Sequence, residues 1–85
     1  MKKAIATAKV HDFEVRYHKT TQLNEEGEKF YGIHAVKYEK GVSVEESETG
    51  GISSDEHYVE NIIDMISKNE VTPQVLCEVL DEIVS

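Results

Sequence analysis

Two apolar stripes at helical spacing occupy the last third of this chain, and they restrict its fold more than any other feature. Val59, Ile62, Ile63 and Ile66 recur every three or four residues, as do Leu76, Val79, Leu80 and Ile83. Helices shorter than about 15 residues are marginal alone in water, so both stripes need a surface to cover. Local signals set their ends. Ser53 followed by Glu56 has the form of a capping box, with Ser54 as the alternative cap, which predicts a first helix over about 54–68. Lys68 suits the C-terminal dipole, and Asn69 suits a left-handed residue after it. Thr72 and Pro73 then supply an N-cap and a proline at the first helical position, and Val71 is placed to staple onto Leu76. The second helix is predicted over about 73–84.

The first half supplies the surface. Phe13, Val15 and Tyr17 alternate with Glu14, Arg16 and His18, the period of a strand with one wet face, and Ile5 and Val10 extend the pattern. The polar run from Asn24 to Glu28, with Gly27 free to take positive φ, forms a turn. In the next strand Tyr31, Ile33 and Ala35 share one face, while Phe30, His34, Val36 and Tyr38 share the other. Glu39-Lys40-Gly41 turns the chain into a short edge strand, Val42 to Glu45. The acidic run Glu45-Glu46-Ser47-Glu48 discourages further pairing. Gly50-Gly51 reads as a tight connection. The prediction is one small α+β domain over 1–85, a three-stranded antiparallel meander packed on one face by a C-terminal helical hairpin. Its order is β-β-β-α-α, with the sheet over about 4–46.

Charge is segregated along the chain. Residues 1–40 hold eight basic and six acidic side chains, whereas residues 41–85 hold Lys68 and eleven acidic ones, within a total of −8. Such a field repels a phosphate backbone, so direct nucleic-acid binding is disfavoured. No stretch approaches the roughly 18 to 20 apolar residues that span a bilayer, and no basic amphipathic helix suits an anionic lipid surface. One cysteine, Cys77, excludes an intrachain disulfide, and the default compartment is the cytoplasm.

The strand hairpin with Tyr31-Gly32-Ile33, the capped helix, the segment Lys68 to Leu76 and the acidic amphipathic end together resemble a known family over nearly the whole chain. It is a family of small bacterial proteins from Firmicutes, domain of unknown function 6514. At Gln74 and Val75 the chain departs from the proline-plus-histidine connection of many members of that family. The resemblance implies the fold and carries no activity.

Candidate chemistry is sparse. His11, His18, His34, His57 and Cys77 show neither HxxxH nor CxxC spacing, although His18 and His34 can meet across the first hairpin. Cys77 lies beside acidic residues that oppose thiolate formation. Carboxylate pairs such as Glu56 with Glu60 and Glu78 with Glu82 sit on helix flanks. The expectation is therefore a protein without cofactor, metal site or enzymatic activity. It docks on a protein partner or on a second copy of itself. Two surfaces compete for this role. The sheet face opposite the helices carries Phe30, His34, Val36 and Tyr38 and suits homodimerisation. Glu56, Glu60 and Asp64 on the first helix, with Glu78, Asp81 and Glu82 on the second, suit an adaptor or inhibitor that meets a basic surface, including a nucleic-acid mimic.

Overall fold

The alternation along the first half produces four strands. In the computed structural model, which describes residues 4–10 and 12–84, they are β1 (Ala4–Val10), β2 (Phe13–Leu23), β3 (Lys29–Glu39) and β4 (Val42–Glu48). They pair antiparallel in sequence order. Helix α1 (Glu56–Lys68), a 3-10 turn (Pro73–Val75) and helix α2 (Leu76–Val84) follow. The sheet therefore has four strands where three were expected. The addition is β1, which is a separate strand rather than an extension of β2, since Val10 pairs with Phe13 and Ala8 with Val15. Alanine carries little strand propensity, which hides the alternation of this segment. Its small side chains have a steric use: Ala6 and Ala8 join the core on the face where α1 lies. His11 and the side chains of Ile5 and Val10 lie outside the described residues.

The acidic run also departs from expectation. β4 continues through it to Glu48, opposite His34, with Glu45 opposite Lys37 and Glu46 opposite Val36. An edge strand needs one neighbour only, and on β3 His34 Nε2 meets Glu46 Oε2 at 3.2 Å. A register shift between Lys37 and Tyr38 leaves Val44 as the extra residue and bends the edge. The two hairpin turns form as predicted. Asn24 Oδ1 accepts from the amides of Glu26 and Glu28, and Gly27 has φ +83°. Lys40 and Gly41 both have positive φ, as a two-residue turn between twisted strands requires.

One face of the sheet, with Val15, Tyr17, Ile33 and Ala35 fully buried, receives the apolar stripe of α1, whose Val59, Ile62, Ile63 and Ile66 are also buried. Leu76 and Leu80 of α2 complete this core, with Val79 and Ile83 half-buried against it. The helices are not a tightly packed hairpin. α1 lies across β1, β2 and β3, whereas the 3-10 turn packs on β4 and β3 and carries α2 beyond it.

The helix ends show why local signals shift. Ser53 bonds to Tyr31 through its backbone, which holds it in the sheet and delays the helix. Asp55 becomes the N-cap, accepting from the Tyr58 amide at 3.3 Å, while Ser53 Oγ accepts from the Asp55 amide. At the other end the left-handed residue is Glu70, φ +54°, one position past Asn69. The amide of Val71 donates to Ile66 O and that of Glu70 to Ser67 O, a Schellman motif that folds Val71 into the core. The second start forms at Thr72, though without a side-chain cap bond, and opens with the 3-10 turn. The Tyr17 hydroxyl then donates to Val71 O and ties this corner to β2.

Two predictions follow from this corner. Glycine tolerates the left-handed region that Glu70 occupies, so Glu70→Gly should raise unfolding stability in urea by about 0.5–1 kcal/mol; a loss of stability would contradict the strain. Burial pushes the Tyr17 phenol up to about 12, with the Glu70 carboxylate adding to it. An unfolded tyrosine ionises near pH 10, so between roughly pH 10 and 12 the folded chain alone keeps this proton, and stability falls as pH rises through that window. An absorbance titration should show a phenolate step near pH 12 that is absent in Tyr17→Phe. Ionisation of Tyr17 at the ordinary value would refute its burial.

Candidate functional site

Strand alternation divides the candidate residues between two surfaces. On the outer face of the sheet, Arg16 lies opposite Val36, His18 opposite His34, and Gln22 opposite Phe30. Short polar contacts cover most of this face. The Arg16 guanidinium stacks 4.5 Å above the Tyr38 ring and is bonded to Glu14, which raises its pKa. The His18 and His34 rings stand 5.6 Å apart, and His34 Nε2 lies 3.2 Å from Glu46 Oε2. Beneath these groups Val36 is only 5% exposed. Towards the far end, Gly50 and Gly51 fold across the face. A Cβ on Gly32 would stand 2.6 Å from Gly50 O, and one on Gly51 would stand 2.8 Å from Phe30 Cβ. Glycine at 32 and 51 is thus a steric requirement of this crossing. Phe30, His34, Val36 and Tyr38 do share one face, as the alternation predicts, but they do not make a bare apolar patch.

The acidic residues divide as well. Lys19 points from the helix-covered face of β2 towards α1, where its ammonium bonds to both Glu56 and Glu60, the latter at 2.6 Å. Each carboxylate raises the Lys19 pKa, with Glu56 contributing first, and Lys19 holds the Glu60 carboxyl below its ordinary value. The ammonium also lies over the Tyr31 ring. Asp64 pairs with Lys68 at 3.0 Å. The three carboxylates proposed for α1 are therefore already matched with cations. Glu78, Asp81 and Glu82 on α2 are exposed, and among the described residues none of the three has an ion pair or hydrogen bond.

Between α2 and the connection that leaves β4 runs an open groove of about 390 Å³. Ile52, Cys77 and Leu80 contribute apolar surface, and Glu48 and Asp81 contribute carboxylates from separate elements. Cys77 is exposed within it. Periodicity places Leu80 in the core and Asp81 in water, but it gives no sign that Gly50-Gly51 brings Ile52 alongside α2. Lys19 was equally concealed. Its parity with Val15 and Tyr17 is the signal that a carboxylate of the covering helix must meet it. Among the described residues no group of three or more histidine, cysteine or acidic side chains is placed to hold a metal. Nor is any helix long and apolar enough to cross a membrane.

These features define a small α+β domain, a four-stranded antiparallel meander with two helices on one face and acid concentrated on the second helix. The chain belongs to the family of unknown function DUF6514, whose model matches residues 1–85. No curated protein and no solved structure matches it.

The double bridge at Lys19 has a measurable consequence. In Lys19→Met the Glu60 carboxyl pKa should return upward, as followed by carboxyl carbon NMR. Because a depressed carboxyl stabilises the fold above its unfolded pKa, the parent should lose this contribution as pH falls through the depressed value. An unchanged Glu60 titration would show that the bridge is absent in solution.

Proposed function

We propose that this chain is a non-catalytic protein-interaction domain that meets a basic partner through the acidic face of α2. The observation that carries this reading is the unequal neutralisation of its carboxylates. Glu56, Glu60 and Asp64 are bridged by Lys19 and Lys68, whereas Glu78, Asp81 and Glu82 have no cation among the described residues. Unmatched surface carboxylates steer a basic partner and add to its encounter rate. The Lys19 bridge also argues against acid–base chemistry at the Glu56 and Glu60 pair, since the ammonium bonds to both carboxylates and holds the Glu60 carboxyl below its ordinary value.

Self-association is the second reading, and it has its own support. Val42 and Val44 on the edge strand β4 are 63% and 50% exposed. The bend at Val44 and the acidic residues that follow it weigh against continuous strand pairing between copies.

Comparative capture separates the surfaces. Cross-linking in an extract of the source cell should lose its protein partner, by about tenfold or more, in Glu78→Lys with Glu82→Lys, and keep it in Tyr38→Ala. The reverse pattern would assign docking to the sheet and overturn the acidic-face reading.

A further inference from the structure

Resting on that reading, we propose that the groove between α2 and the Gly50-Gly51 connection receives an arginine side chain from a basic, extended segment of the partner. The groove is about 390 Å³, open along its length, and lined by Ile52, Leu80 and Cys77 with Glu48 and Asp81 at its walls. This volume lies near the low end of the roughly 300–1,000 Å³ of ligand pockets, the size of one or two side chains rather than of a folded domain's surface. A linear segment fits that scale.

Its chemistry follows from the lining. An apolar side chain would cover Ile52 and Leu80 but leave Asp81 facing it without a counter-charge. Arginine answers both demands: its methylene stem packs on apolar surface, and its planar guanidinium offers several donors to carboxylates. Asp81 carries no ion pair or hydrogen bond among the described residues, so no internal cation has to be displaced from it. Further basic residues of the same segment would meet Glu78 and Glu82 along the exposed side of α2.

Cys77 reports on occupancy directly, because its thiol is exposed and lines the groove. The probe is an acetylated, amidated peptide of alternating arginine and alanine, with a citrulline peptide of the same length as its neutral control. With the full chain at low ionic strength, saturating arginine peptide should slow iodoacetamide alkylation of Cys77 several-fold and shift the amides of Ile52 and Leu80. Asp81→Asn should weaken this about tenfold, the loss expected for one charge-assisted contact of roughly 1.4 kcal/mol, while Glu56→Gln leaves it unchanged. The citrulline peptide should give neither effect.

Three results would overturn the proposal. Binding that shifts the amides of Glu78 and Glu82 but leaves Cys77 alkylation unchanged would remove the groove and spare the acidic face. No binding of the arginine peptide would remove both. Protection of Cys77 by raising the protein concentration alone would give the groove to a second copy.

Discussion

The fold depends on one burial event, the seating of the α1 stripe on the inner face of the first three strands. Val59, Ile62, Ile63 and Ile66 have almost no exposed surface, and neither have Val15, Tyr17, Ile33 and Ala35 beneath them. Each large apolar side chain removed from water contributes about 1.5–3 kcal/mol, and in a chain this short few other contacts approach that sum. Other features serve this contact. Ala6 and Ala8 keep β1 low enough for the helix to cross, and the Schellman motif brings Val71 back into the same core. The Tyr17 hydroxyl caps the Val71 carbonyl, which would otherwise be a buried acceptor without a donor.

Seating α1 in this way also distributes charge. Lys19 shares a sheet face with Tyr17 and so must come up beside the helix, where Glu56 and Glu60 meet it. Glu56 and Glu60 are matched by that packing, and Asp64 by Lys68 on the same helix. α2 is reached through the 3-10 turn, which itself packs against β4, whose charged residues are acidic. Among the described residues no lysine of the first half is paired with its carboxylates, and the unmatched negative charge collects there. The proposed docking surface is thus a by-product of which helix Lys19 comes up beside.

Much of this was legible in the sequence, and the failures have physical causes. The inward residues of both helices, the two faces of β3 and both hairpin turns follow from periodicity and turn chemistry. β1 was missed as a strand because alanine gives little strand signal, although Ala6, Thr7, Ala8 and Lys9 do alternate. The cap moved from Ser53 to Asp55, and the left-handed residue from Asn69 to Glu70, because backbone bonds to Tyr31 and the return of Val71 to the core outweigh local preference. The membership in DUF6514 was legible too, from Tyr31-Gly32-Ile33 and the residues around Thr72-Pro73. The close approach of Gly50 O explains glycine at the middle of that triplet. The groove was not legible, since it joins segments that no local rule brings together.

Residue-resolved amide hydrogen exchange tests the central claim most directly. If the α1 stripe on β1–β3 is the organising contact, the amides of Ile33, Ala35, Ile62, Ile63 and Ile66 exchange together and slowest, at the rate of global unfolding, while α2 opens more readily. Exchange at those five amides within about tenfold of an unstructured chain, under conditions where the protein is folded, would contradict it.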